Sequence, residues 1–336
     1  MIRPWNATHR DDHLPKALQN LRIPAVGAPL FIISNPDLVI AQCKAGVIGS
    51  FPALNARETE GESPLLDTWL IRIKEALDRH NQKNPDTPAA SYAVNQIVHR
   101  SNTRLQRDIE ICAKHEVPVW ITSLGAREEV NQAAHSCGGI VLHDIINNMF
   151  AHKAIRKGAD GLVAVAAGAG GHAGQVSPFA LIQEIREWFD GPLLLSGSIA
   201  TGRAILSARV LGADLAYIGS PFIATDEANA DPAYKQMILD SCADDIVLTS
   251  LFTGVSGNYL KPSISNAGMD PDNLPDGDAS TMNFGAYGSV KPRIWKDIWG
   301  CGQGVGMIRA VQSAGGLVAQ LAEDYRTRQA MLLAHS

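Results

Sequence analysis

One histidine stands in a run almost free of side chains, Gly168-Ala-Gly-Gly-His-Ala-Gly174. Glycines at 168, 170, 171 and 174 let the backbone lie against a flat ligand while one imidazole, that of His172, projects from it. Imidazole changes charge near neutral pH, so His172 reads as a general base or charge stabiliser at a reacting centre. A histidine on a loose surface linker would look the same in sequence. Two further runs suit an anion: Ser196-Gly-Ser-Ile-Ala-Thr-Gly202 and Gly219-Ser-Pro-Phe222 each place small residues directly after an aliphatic stretch. Backbone N–H groups and hydroxyls in such loops approach a phosphate closely, although ordinary tight turns also favour glycine and serine. Thr201-Gly-Arg203 then opens a helix whose N-terminal dipole favours negative charge. Asn95, in Tyr92-Ala-Val-Asn-Gln96, offers an amide to a heteroaromatic edge or to a buried backbone group. His143 closes the aliphatic run Ile140-Val-Leu-His143 and is expected to point into the mouth of the fold.

Other chemistries lack their residues. Gly168 to Ala173 matches the relaxed dinucleotide pattern G-x-G-x-x-A, which requires a helix starting at the glycines. Ser177-Pro178 reads instead as an N-cap followed by the first helical residue, so the helix begins later. Gly302-Gln-Gly-Val-Gly306 follows no clear strand. There is no HExxH, Walker A lysine or GxSxG. The five cysteines are scattered with no CxxC pair, which argues against a zinc site or a disulfide framework and fits a reducing cytoplasm. His9 and His13 have i, i+4 spacing, but they lie in a polar N-terminal arm that reads as frayed.

The elements that position these residues follow a recurring unit: an amphipathic stretch, a glycine, then a short aliphatic run. Lys157-Gly-Ala-Asp-Gly-Leu-Val-Ala-Val165 and Leu211-Gly-Ala-Asp-Leu-Ala-Tyr-Ile218 show it plainly. Glycine ends the helix, and the aliphatic run is a strand buried on both faces. Candidate strands lie near Ile23–Leu30, Val47–Phe51, Ala90–Ile97, Val117–Ser123, Ile140–Asp144, Gly161–Ala166, Leu193–Ser196 and Leu215–Ile218. Eight in series with helices between them predict an α/β fold, a (β/α)8 TIM barrel; an open doubly wound sheet is the rival. On the barrel reading, the two phosphate-suited loops follow strands seven and eight, where such sites commonly form. After Phe222 the texture becomes polar and rich in helix breakers. Residues 223–302 are expected to form a smaller, loop-rich substrate or lid domain, with 1–222 and 303–336 building the barrel and the last helix packing back on it.

The charge bounds the partners. A formal net charge of -5 without long blocks of one sign gives no reason to invoke nucleic acid or an anionic membrane. No secretory signal or membrane-length apolar stretch is visible, so a cytoplasmic enzyme is expected, with assembly into a homo-oligomer left open.

The motifs together resemble the nitronate monooxygenase family, formerly the 2-nitropropane dioxygenases. Ala28-Pro29-Leu30, Ala93-Val-Asn95, Gly170-Gly-His-Ala-Gly174, Leu195-Ser-Gly-Ser-Ile-Ala-Thr-Gly-Arg203, Gly219-Ser-Pro-Phe-Ile-Ala-Thr225 and Gly302-Gln-Gly-Val-Gly306 carry the resemblance over most of the chain. It implies a TIM barrel holding FMN without a covalent bond. The Ala28 backbone and Asn95 side chain, with His143 and Gly171, would border the flavin. Gly197, Ser198, Gly219 and Ser220 would hold its phosphate, with His172 on the substrate side. The implied reaction oxidises an alkyl nitronate, or its parent nitroalkane, with O2 to a carbonyl compound and nitrite. Relatives of the same architecture use NADH or NADPH to reduce quinones or enoyl thioesters, and a colourless sugar-phosphate aldolase or isomerase would suit the phosphate loops equally. Three departures stand out: Gly27 and Leu30 replace the usual Gln and Met around Ala-Pro, Asp144 replaces a common Lys, and Gly197-Ser198 replaces Gly-Gly.

Overall fold

Runs such as Leu193-Leu-Leu-Ser196 and Leu215-Ala-Tyr-Ile218 have no polar face to expose, so they are stable only as strands covered on both sides. The computed structural model describes residues 13–57, 64–278 and 297–334. Eight parallel strands run through it: β1 (Ala25–Gly27), β2 (Gly49–Pro52), β3 (Tyr92–Ile97), β4 (Val119–Ser123), β5 (Ile140–Ile145), β6 (Gly161–Val165), β8 (Leu193–Ser196) and β9 (Leu215–Ile218). They pair in the order β1-β9-β8-β6-β5-β4-β3-β2. A parallel bridge between Val26 and Ile48 joins the two ends, with Gly27 N–H donating to the Ile48 carbonyl at 2.8 Å. The sheet therefore closes in chain order, which an open doubly wound sheet does not do.

Strand alternation divides the apolar side chains. Val26, Ile48, Ala93, Val119, Ile121, Leu142, Val163, Leu194 and Leu215 fill the barrel interior. The opposite faces pack under the surrounding helices α1 (Pro36–Ala45), α2 (Leu65–Lys83), α3 (Leu105–Lys114), α4 (Glu128–Ser136), α5 (Asn148–Arg156), α6 (Pro178–Arg186) and α7 (Gly202–Leu211). Local chemistry sets their ends. The Asn35 and Thr201 side chains accept from Leu38 N and Ala204 N at the starts of α1 and α7, and Gly46 ends α1 at φ +91°. Helix α6 begins at Pro178 after Ser177, clear of the glycine run. The C-terminal helix Ala314–Leu333 packs on α7 and α1. Gly202 permits this contact, since a Cβ there would stand 2.2 Å from Tyr325 N. No helix among the described residues is long and apolar enough to cross a membrane.

Two regions differ from expectation. The N-terminal arm is frayed neither at His13 nor beyond it: Leu14 and Leu18 join the interior cluster and plug the barrel beneath the strands. His13 Nε2 lies 3.2 Å from Asp214 Oδ1, a carboxylate that also receives Arg186 and Leu193 N–H. His9 lies outside the described residues. In the segment read as loop-rich, Ile246–Thr249 (β10) and Gly257–Leu260 (β11) form an antiparallel hairpin. Its third strand is Gly171–His172 (β7), paired with Asn258 and Gly257. These strands are too short to show a period, and their pairing is non-local, so the sequence carries little sign of them. Pro232–Asp240 (α9) and Lys261–Asn266 (α10) add short helices to this segment, and Ser220–Ile223 (α8), which falls almost wholly within 1–222, stands at its start. Part of this segment, 279–296, lies outside the described residues.

Candidate active site

A cavity of about 620 Å³ opens at the carboxyl ends of the barrel strands, the end at which barrels of this kind do their chemistry. Ala28, Asn95, His143, Gly171, His172, Gly197, Ser198, Gly219 and Ser220 all line it, so the structure brings together every residue that the sequence assigns to the site.

Its floor is polar. Inward-facing residues near the carboxyl ends of β3, β4, β5 and β9 include Asn95, Ser123, Asp144 and Tyr217. Asn95 Nδ2 donates to the Ile121 carbonyl at 3.2 Å and to Ser123 Oγ at 2.8 Å, leaving Oδ1 as the amide's remaining polar atom. Asn95 thus serves a buried backbone group and still lines the cavity. Ser123 Oγ donates to Asp144 Oδ2 at 2.5 Å. Burial pushes the Asp144 carboxyl up to about 7, opposed by the Ser123 hydrogen bond. His143 Nδ1 lies 2.6 Å from Thr122 Oγ1, and burial, helped by Lys153, holds its ring down at about 4.

Glycines build the opposite wall. The 168–174, 196–202 and 300–304 segments approach too closely for side chains. A Cβ at Gly170 would lie 2.7 Å from Gly302 N, one at Gly302 2.7 Å from the Gly168 carbonyl, and one at Gly304 2.9 Å from the Ser198 carbonyl. Gln303 N–H donates to the Gly168 carbonyl at 2.9 Å and Gly302 N–H to Ser220 Oγ at 2.9 Å. The Gly302-Gln-Gly304 run, which follows no barrel strand, is therefore the packing partner of the histidine loop. Ser198 sits at φ +55°, a conformation glycine adopts more easily, and its N–H reaches the Gly168 carbonyl at 3.2 Å. The hydroxyl remains its group for a ligand. The α7 N-terminus is otherwise engaged, because Arg203 N–H donates to Asp324 Oδ2 at 2.9 Å.

The imidazole of His172 is held rather than loose. Residues 171–172 are a strand of the small sheet, and Asn258 Nδ2 anchors the preceding turn on the Ala169 carbonyl at 2.6 Å. His172 Nε2 lies 2.9 Å from Thr253 Oγ1, whose hydroxyl donates to the Val255 carbonyl at 3.0 Å. With that hydrogen committed, Nε2 is the donor and Nδ1 carries the ring's lone pair. Burial lowers the imidazole to about 4, so it is neutral at physiological pH.

The rim is apolar. Leu30, Ile146, Phe150 and Trp299 line it, Trp299 stacking on Tyr234 with centroids 4.8 Å apart. The loop after β1 is fastened by Asn55, which accepts from Ile32 N and donates to the Leu30 and Ser34 carbonyls; Ile32 itself stands at φ +69°. Asn55, Ser123, Tyr217, Thr253 and Gly302 are the contributors that sequence reasoning missed. Only the G-x-G spacing at 302–304 gave any signal. Among the described residues no group of three or more His, Cys, Asp or Glu could hold a metal ion.

A family model described as nitronate monooxygenase matches residues 15–265. The chain is 24% identical to a nitronate monooxygenase of Paraburkholderia phytofirmans, over 90% of this chain and 92% of the relative. Among solved structures it resembles a nitroalkane oxidase from Streptomyces ansochromogenes, with a TM-score of 0.73, 21% identity and coverage of 93% and 98% of the two chains. It also resembles FabK from Thermotoga maritima, with a TM-score of 0.69, 19% identity and coverage of 95% and 97%.

Proposed function

The chain belongs to the nitronate monooxygenase family, whose members are flavin-dependent oxidoreductases, and we propose that it binds FMN and oxidises alkyl nitronates with O2 to a carbonyl compound and nitrite. The observation that carries this reading is the cavity itself. A neutral, tethered imidazole faces a polar barrel floor across a wall whose glycines leave no room for side chains.

The residues suit a flavin. Asp144 Oδ1 and Tyr217 Oη on the floor are buried without a hydrogen-bond partner, as expected where a heterocycle's polar edge completes the site. Asn95, with Ala28, His143 and Gly171, would border the ring, while Gly197, Ser198, Gly219 and Ser220 would hold the phosphate. Bound FMN would supply the redox chemistry between nitronate and O2.

The protein's own part is binding, orientation and proton handling. Exposed Lys153 at the rim supplies positive charge that attracts an anionic nitronate. Leu30, Ile146, Phe150 and Trp299 shed water around the alkyl group. Neutral His172 takes the α-proton of a nitroalkane at Nδ1, generating the nitronate inside the cavity. Thr253 keeps the ring in the tautomer that leaves the lone pair on Nδ1. Oxygen uptake with nitrite assay on a short alkyl nitronate tests the reading. Nitrite formed together with oxygen consumption supports it. Flavin-loaded protein that forms no nitrite refutes it.

A further inference from the structure

Asp144 is a half-buried acid, its Oδ1 atom shut off from solvent, that the proposed oxidation does not use. Its two oxygens have different surroundings. Oδ2 receives the Ser123 hydroxyl, which in turn accepts from the Asn95 amide, itself anchored on the Ile121 carbonyl. That directional chain from β3 through β4 to β5 leaves Oδ2 only as an acceptor. Oδ1 is buried without a partner on the cavity floor, beside the similarly unpartnered Tyr217 hydroxyl. Two orphaned polar atoms on one floor cost free energy unless a ligand meets them.

We infer that Asp144 carries a proton on Oδ1 and donates it as a hydrogen bond to the electron-rich polar edge of the flavin ring, with Ser123 and Asn95 as its positioning residues. The inference rests on the flavin reading above. The groups facing the carboxyl are mostly neutral. Ser123 and Asn95 come from β4 and β3, and Tyr217 from β9, its phenol raised well above the usual range by burial and by Asp144. His143, next on β5, is turned to Thr122 and is neutral near pH 7. Without a ligand, burial places the carboxyl at about 7, so the proton is poised to be lost or taken up in the physiological range. An ionised Asp144 would instead face the ring edge as an anion and oppose both the flavin and an anionic substrate.

Binding a flavin should then draw a proton from solvent. The test titrates the full chain, stripped of flavin, with riboflavin, which has no phosphate to titrate. Flavin fluorescence quenching gives affinity between about pH 5.5 and 8.5, and calorimetry in two buffers of different ionisation enthalpy gives the protons taken up. Wild-type protein is expected to take up a proton, approaching one per flavin near pH 8, with affinity falling toward about tenfold per pH unit above 7. Asp144→Asn should bind with little uptake and a flat profile, and Ser123→Ala should displace the midpoint. Flavin binding by wild type without proton uptake, or uptake that persists in Asp144→Asn, overturns the assignment and leaves the cofactor reading standing. Wild type that binds neither riboflavin nor FMN overturns both. The wild-type proton count decides the matter even if the Asn variant does not fold.

Discussion

Thr253 Oγ1 stands 2.9 Å from His172 Nε2 while donating its own hydrogen to the Val255 carbonyl. A residue of the small hairpin thereby chooses which nitrogen of the glycine-flanked histidine can act as a base. Thr253→Val should lower kcat/KM for a nitroalkane by about tenfold, the worth of one hydrogen bond near 1.4 kcal/mol, with flavin content unchanged. Thr253→Ser should restore it. Preformed nitronate needs no proton abstraction, so its oxidation should be much less affected. Steady-state kinetics on both substrate forms separates tautomer control from a packing defect.

His172 makes a second prediction through its pKa. Burial holds it at about 4 against an ordinary 6.5, so the base is neutral over the whole physiological range. The profile of kcat/KM against pH for a nitroalkane should lack an acid limb from this group above about pH 5. An enzyme limb near 6.5 that vanishes in His172→Asn would show a more solvated imidazole. The stability consequence has the same sign. As pH falls from 6.5 toward 4 the unfolded chain binds a proton that the folded site refuses, so this group's contribution to stability is lost across that window.

Asp144 has the opposite linkage. Its folded pKa is raised from 3.8 to about 7, so the folded state is progressively penalised as pH rises through that interval. Asp144→Asn should therefore stabilise flavin-free protein at about pH 8, on the order of a few kcal/mol, and have little effect at about pH 4. Thermal melts at the two pH values read the difference.

Two glycines give a steric contrast. A Cβ at Gly202 would meet the backbone of the C-terminal helix at 2.2 Å, whereas one at Gly315 would meet nothing within 4 Å. Gly202→Ala should destabilise by about 1–3 kcal/mol, because helix must move against helix. Gly315→Ala should be neutral or stabilising by up to about 1 kcal/mol. Chemical denaturation of both variants checks the pair.

The barrel was legible because its signals are local. Aliphatic runs of strand length, glycines at helix ends and the Ser177-Pro178 start each act within a few residues, and all eight expected strands form. The glycine-flanked histidine and the two small-residue loops converge for the same reason: all follow barrel strands on one rim. What escaped depends on distant partners. Strand β7 exists only because the 246–260 hairpin pairs with it, and Thr253 reaches His172 across 81 positions. Asp144 was visible as a departure from the usual Lys, but its neighbours on the floor come from β3, β4 and β9. The N-terminal plug escaped likewise, since the polar residues around Leu14 mask an anchor that only the barrel's lower end reveals.

Anaerobic mixing of flavin-loaded protein with an alkyl nitronate, followed at the long-wavelength flavin band, addresses the central claim most directly. Rapid loss of that absorbance with nitronate, and no comparable loss with NADH or NADPH, is the predicted result. Bleaching by a nicotinamide nucleotide while the nitronate leaves the band unchanged would contradict it and mark the protein as a reductase on the same barrel.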